Sequence, residues 1–169
     1  MTNNEYKWYA LYTKSRAEKK AFSSLSQKGI ETYLPLRRNL KQWSDRKKWV
    51  ETPIISSYIF VKITQLDYKK VFEADSIVSY VSYKGKAVPI PDREIEAMKR
   101  MVESKISFSV EMGELKKGKI ITITSGPLIG LSGEITEIKG QKKLYLRVKH
   151  AGFTLVVNVD EDTVFQFDT

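Results

Sequence analysis

The chain of 169 residues contains no cysteine. That excludes a disulfide framework and any thiolate metal site. It contains one histidine, His150, which reads as a strand-end or surface residue rather than a catalytic base. No phosphate-binding GxxxxGK[ST] loop, no GxGxxG after a strand, no HExxH and no GxSxG is present, so the recognisable nucleotide, zinc-hydrolase and serine-hydrolase signatures are missing. The acidic run Asp160, Glu161 and Asp162 reads as an exposed turn, not as a carboxylate pair set up for proton transfer. The expectation is a protein that is not an enzyme and holds no cofactor or metal. No run approaches the roughly twenty apolar residues of a membrane helix. The opening MTNNEYKWYALYTKSR lacks the basic, apolar and cleavage regions of a signal peptide. The expected location is the cytoplasm, with no membrane partner.

What is present is globular: 41% hydrophobic and 29% charged residues, with three Trp, nine Tyr and seven Phe, unlike a disordered chain. The net charge of +9 is unevenly placed. Residues 1–50 hold 12 Lys/Arg against 4 Asp/Glu, a net +8. Residues 51–104 hold 8 of each, and residues 105–169 hold 9 against 8. A localised excess marks a polyanion-binding surface better than a high overall isoelectric point does.

The organisation changes near residues 104–113. Before it, strand-like and helix-like segments alternate; after it, short strands alternate with glycine turns. KWYALYT (Lys7–Thr13) is aromatic-rich as strands are. Ser15-Arg16-Ala17-Glu18 matches a capping box, and Ala17, Ala21, Phe22 and Leu25 recur at helical spacing. Gly29 is placed to end that helix in a left-handed conformation. Strands are expected at Thr32–Leu34, Ser56–Ile63 and Ile77–Tyr83, with a short one at Ala87–Val88. A helix is expected at Leu66–Ala74 with Val71 and Phe72 inward. Another begins at Pro91-Asp92, with Ile95, Met98 and Val102 on one face. Beyond residue 113, strands are expected at Lys119–Thr124, Gly133–Lys139, Lys143–His150, Phe153–Val159 and Val164–Phe167. Turns fall at Gly126-Pro127, Gly140-Gln141 and Ala151-Gly152, and this spacing fits a small barrel.

Two basic clusters stand out. Lys14, Arg16, Lys19 and Lys20 gather at the start of the first helix, where cations oppose the macrodipole and a bound phosphate would relieve the penalty. RRNLKQWSDRKKW (Arg37–Trp49) interleaves Arg37, Arg38, Lys41, Arg46, Lys47 and Lys48 with Trp43 and Trp49. Such a segment attracts phosphates and offers rings for base stacking; the alternative is a hairpin whose Trp residues pack on the sheet. Its Ser44-Asp45 suits a hairpin tip. Tyr58 and Phe60 alternate with the aliphatic Ile59, Val61 and Ile63 along one strand. The aliphatic set reads as core, and the aromatic set as either an open partner-binding surface or a second buried face.

These segments resemble the NusG family over essentially the whole chain. KWYALYTKSRAEKKA looks like the family's opening strand and first helix. SSYIFVKI resembles its F-P-x-Y-hydrophobic strand, with Tyr58 at the Tyr position and Ile55-Ser56 where Phe-Pro is usual. VSYKGKAVPIPDREI resembles the approach to the last helix of the N-terminal domain, and KKGKIITITSGPLIGLSGEITEI is similar to the KOW motif. YTKSRAEKK and WSDRKK look closer to specialised paralogues of the RfaH and UpxY type. The resemblance implies an α+β protein. Residues 1–104 would form a NusG-like α/β sandwich (an antiparallel sheet with helices), 105–113 a linker, and 114–169 a small SH3-like KOW β-barrel. RfaH-type KOW domains can instead adopt a helical hairpin, but the β-branched density of Ile120–Thr124 and Leu155–Val159 favours the barrel.

The implied function is a monomeric elongation regulator that binds the RNA polymerase β' clamp helices and the non-template DNA strand. It would suppress pausing and termination, in operon-specific antitermination. Matching positions place Tyr12, Tyr58, Phe60 and Tyr80 in the polymerase patch. Lys14, Arg16, Lys19, Lys20, Arg46, Lys47 and Lys48 would face the DNA. Leu128, Ile129 and Leu131 would let the barrel recruit a small-subunit ribosomal protein or Rho. The alternative is a ribosome- or RNA-binding KOW protein acting in translation.

Overall fold

The computed structural model describes residues 4–104, 106–112, 118–126, 128–130, 132–138, 141–148, 152–159 and 167–168. Leu131, His150, Asp160–Asp162, the turns at Pro127, Gly140 and Ala151, and the stretch 164–166 lie outside the described residues. Contacts divide the chain into two units, Met1–Asp92 and Arg93–Thr169.

The first unit is built on a four-stranded antiparallel sheet. Its strands are β1 (Lys7–Thr13), β2 (Glu31–Tyr33), β5 (Tyr58–Ile63) and β6 (Ile77–Tyr80), in the order β2-β5-β1-β6. Strand parity sorts the side chains. Tyr9 faces Val61 and Leu11 faces Ile59 across β1 and β5. These residues share a core cluster with Ile63 and with Ala21 and Leu25 of helix α1 (Glu18–Gln27). Two further strands, β3 (Leu36–Gln42) and β4 (Lys47–Pro53), form a separate two-stranded hairpin. The hairpin tip expected at Ser44-Asp45 is present, but nothing in the sequence bounds its two strands, because both faces of the hairpin are largely exposed and no hydrophobic alternation marks them.

The start of α1 departs from expectation. Ala17 is its N-cap, and no side chain caps it. Arg16 adopts φ 58°, a left-handed kink that turns Ser15 away from a capping-box geometry. The Glu18 carboxylate accepts instead from the Ser57 backbone N–H at 2.7 Å, fastening the helix start to the entrance of β5. The C-terminus behaves as read. Gly29 has φ 74°, its N–H donates to the Ser26 carbonyl at 3.0 Å, and the Ile30 N–H donates to the Leu25 carbonyl at 3.1 Å. That is a Schellman motif, completed by burial of both Leu25 and Ile30. A Cβ on Gly29 would meet nothing within 4 Å, so a substitution there costs backbone strain alone. Gly29→Ala is expected to destabilise the chain by about 1 kcal/mol, read as a lowered midpoint in urea unfolding.

The segment after β5 is not one helix. It forms two 3-10 turns, Gln65–Asp67 and Lys70–Glu73. With three residues per turn, Val71 is buried and its neighbour Phe72 is 45% exposed, contrary to the expected inward pair. The expected strand Ile77–Tyr83 ends at Tyr80 and is followed by a two-residue hairpin. β7 (Ser82–Tyr83) and β8 (Lys86–Ala87) are joined by Lys84 and Gly85 at φ 49° and 76°, the positive values a tight hairpin turn requires.

The second unit carries helix α2 (Asp92–Glu103) and a six-stranded antiparallel sheet. Ile95, Met98 and Met101 are the buried face of α2; Met101 takes the place expected for Val102. The strands are β9 (Phe108–Met112), β10 (Lys119–Ile123), β11 (Ser132–Ile138), β12 (Gln141–Val148), β13 (Phe153–Val159) and β14 (Phe167–Asp168), in the order β14-β10-β11-β12-β13-β9. The stretch expected as a linker thus holds a strand, with Leu155 of β13 opposite Val110. Phe108, Val110 and Met112 alternate at the strand period, a signal too short to stand out beside the flanking serines. Residues 119–123 and 153–159 are strands, as their β-branched content required.

Candidate functional site

The β3–β4 hairpin is zipped from Leu36↔Pro53 at its root to Gln42↔Lys47 near its tip. The root is closed by the Ile54 N–H donating to the Pro35 carbonyl at 2.9 Å, and the tip by the Trp43 N–H donating to the Arg46 carbonyl at 2.7 Å. Alternation places Arg38, Leu40 and Gln42 on one face with their cross-strand partners Glu51, Trp49 and Lys47. The Arg38 guanidinium lies 5.1 Å from the centre of the Trp49 ring, a cation–π arrangement. Trp43 and Trp49 are 56% and 55% exposed. They do not pack into the core, so of the two readings of this segment the structure takes the projecting, solvent-facing one.

Lys14, Arg16, Lys19 and Lys20 are exposed at the helix start, and Arg46, Lys47 and Lys48 are exposed at the hairpin tip. The structure brings part of the two clusters together. An open groove of about 480 Å³ is lined by Lys19 from α1 and by Arg38, Trp43, Lys48, Trp49, Val50 and Glu51 from the hairpin. Glu51 is the participant that charge counting misses; Arg38 and Trp49 stand out in the sequence, but not as neighbours of Glu51 or Lys19. The available signal was the pairing of position 38 with 51 and of 40 with 49, visible only once residues 36–53 are read as a hairpin.

The four tyrosine and phenylalanine positions separate. Tyr12, Tyr58 and Phe60 share one sheet face, since Tyr12 pairs with Tyr58 and Ala10 with Phe60. Tyr12 is 37% exposed, whereas Tyr58 and Phe60 are buried. The Tyr58 hydroxyl donates to the Tyr12 hydroxyl at 3.1 Å, and the rings meet edge to face. Burial first, then this hydrogen bond, holds the Tyr58 hydroxyl protonated well above the usual tyrosine range. Tyr80 is opposite Leu11 in the register and therefore lies on the other face, inside the core cluster. It stacks on Tyr68 at 4.1 Å and donates its hydroxyl to the Tyr68 carbonyl at 2.7 Å.

In the second unit, Leu128 is fully buried and Ile129 is 54% exposed. The turn that carries them is held by the Gly130 N–H donating to the Ile123 carbonyl at 2.8 Å, with Gly126 and Gly130 at φ 82° and 83°. Leu128 therefore anchors the turn, and Ile129 is its exposed apolar residue. The Ile129 carbonyl accepts from Arg100 of α2 at 2.8 Å. Among the described residues there is no cluster of His, Cys, Asp or Glu able to hold a metal ion and no helix long and apolar enough to cross a membrane.

A family model described as "Transcription termination factor nusG" matches residues 6–99. The chain is 23% identical over 153 residues to a Rickettsia bellii protein described as "Transcription termination/antitermination protein NusG", a match spanning 84% of this chain and 79% of that one. It is similar to the solved structure described as "Domain interaction in Thermotoga maritima NusG", with a TM-score of 0.53 at 24% identity over 92% of this chain and 93% of the other.

Proposed function

The chain belongs to the NusG family of transcription termination factors, and on that premise we propose that it is an operon-specific elongation regulator acting on RNA polymerase. Its first unit binds the polymerase clamp helices and the unpaired non-template DNA strand. By binding the elongating state more tightly than the paused one, it suppresses pausing and termination. The observation that carries this reading is the projecting basic hairpin, whose tip and indoles are held in solvent rather than folded into the core. Tyr12 is the ring that meets the clamp helices; Tyr58 and Phe60 lie on the same sheet face but are buried, and Tyr58 supports the Tyr12 ring from beneath rather than touching the partner. The second unit recruits a small-subunit ribosomal protein or Rho through the turn that presents Ile129. The factor acts as a monomer in the cytoplasm.

In-vitro transcription across a terminator, with purified polymerase and with or without this protein, tests the reading: read-through rises when the protein is added. Tyr12→Ala is expected to weaken polymerase binding roughly tenfold, the cost of removing an interface aromatic, and to leave the thermal unfolding midpoint almost unchanged. A chain that retains ribosomes and never polymerase in a pulldown would move the function to translation.

A further inference from the structure

We propose that the groove between the start of α1 and the β3–β4 hairpin is a pocket for one unpaired base of single-stranded DNA, stacked on Trp43 or Trp49 and selected by Glu51. This rests on the reading of a DNA strand as ligand and adds where a base sits and which base is preferred. Two indoles more than half exposed are an apolar surface the core does not use, and such surfaces mark binding sites. The surrounding charge decides the class of ligand. Lys19, Arg38 and Lys48 line the same groove, and Arg38 lies over the Trp49 ring, within reach of a phosphate attached to a base stacked there. Rings bordered by cations fit the alternating flat bases and phosphates of a single strand. In a duplex both faces of each base are already covered, so an unpaired base is required. A volume of about 480 Å³ is small-molecule sized, which suits one nucleotide.

Glu51 is the exception in this basic groove. Its carboxylate repels phosphate, so it belongs against the part of the nucleotide that donates hydrogen bonds. Guanine presents N1–H and N2–H side by side to two carboxylate oxygens. Thymine offers one N–H between two carbonyl oxygens, which a carboxylate repels. The groove therefore prefers guanine to thymine.

The test uses the full chain and fluorescein-labelled nine-residue DNA strands, all thymine or with one central guanine. Anisotropy reads affinity, and intrinsic tryptophan emission reads stacking. The strand with guanine binds roughly five- to tenfold more tightly, and both strands quench tryptophan emission. E51Q removes most of the preference and keeps the quenching. The double variant W43F/W49F leaves Trp8, which is buried, as the remaining indole; quenching is lost while the Phe rings retain binding, and circular dichroism confirms the fold. Quenching that is absent in the native chain, or survives in the double Phe variant, overturns the stacking. A preference unchanged in E51Q overturns the role of the carboxylate, and tighter binding to the matching RNA strand overturns the assignment to DNA. The assay contains no polymerase. Failure here with terminator read-through intact removes the groove alone; oligonucleotide binding as expected without any read-through effect removes the transcription reading alone.

Discussion

Replacing Arg46, Lys47 and Lys48 together by glutamine lowers affinity for single-stranded DNA by roughly tenfold or more at about 0.1 M salt, and reduces the slope of log K against log salt by about 2. The slope is the decisive reading. Each phosphate neutralised on a single strand releases counterions worth about 0.7 in that slope, so loss of three contacts removes about 2. An affinity change alone would also follow from a distorted hairpin; a slope change counts charges. The distortion itself is not expected. All three side chains are exposed, and the bond that shapes the tip is made by backbone, from the Trp43 N–H to the Arg46 carbonyl. Glutamine removes the charge while keeping a polar, unbranched side chain at these exposed positions. Salt titrations of the native and triple-glutamine chains check the result. Parallel slopes would mean that the tip does not meet phosphate and that the excess charge of residues 1–50 serves another partner.

The legible parts of this molecule were those where one signal dominates. The Tyr58–Ile63 strand was read from alternation because its aliphatic face is buried in the core, and Gly29 marked the end of α1 because no other residue type takes φ 74° as easily. The hairpin was half visible. Its charge and indoles drew notice, but its strands carry no buried face, and burial is what writes period two into a sequence. Glu18 shows a different limit. Its spacing from Ser15 fits a cap, yet its carboxylate is claimed by Ser57, 39 residues away, and no local pattern encodes a long-range acceptor. The groove is illegible for the same reason. Lys19 and Trp49 become neighbours through the path of the chain between them, so charge clusters were readable and their junction was not.

Tyr80 is the sharpest case, because family resemblance placed it with Tyr12 and strand register placed it opposite. The difference is measurable as stability. Tyr80→Ala removes a ring that stacks on Tyr68 and contacts Tyr9 and Phe72 edge to face. It is expected to cost about 3–5 kcal/mol, the range for deleting a buried aromatic, and so to unfold a large share of the chain at 37 °C. Tyr12→Ala, at a half-exposed position, leaves folding nearly intact. Tyr80→Phe keeps the ring and loses the hydrogen bond to the Tyr68 carbonyl, about 1 kcal/mol. The hydroxyl adds a signature in pH. Burial first, then the neighbouring Tyr68, Tyr9 and Asp67, pushes the Tyr80 pKa above its ordinary value. A raised folded-state pKa means the folded chain holds the proton more tightly than the unfolded one. The associated stability is therefore complete below about pH 10, the unfolded value, and is lost as pH rises beyond it. Urea midpoints measured from pH 7 to pH 11 should fall above about pH 10 in the native chain. They should fall less steeply in Tyr80→Phe, with Tyr58 and Tyr68, whose pKa values are raised in the same direction, supplying the remaining slope. A Tyr80→Ala chain as stable as the native one would return Tyr80 to the polymerase-facing surface.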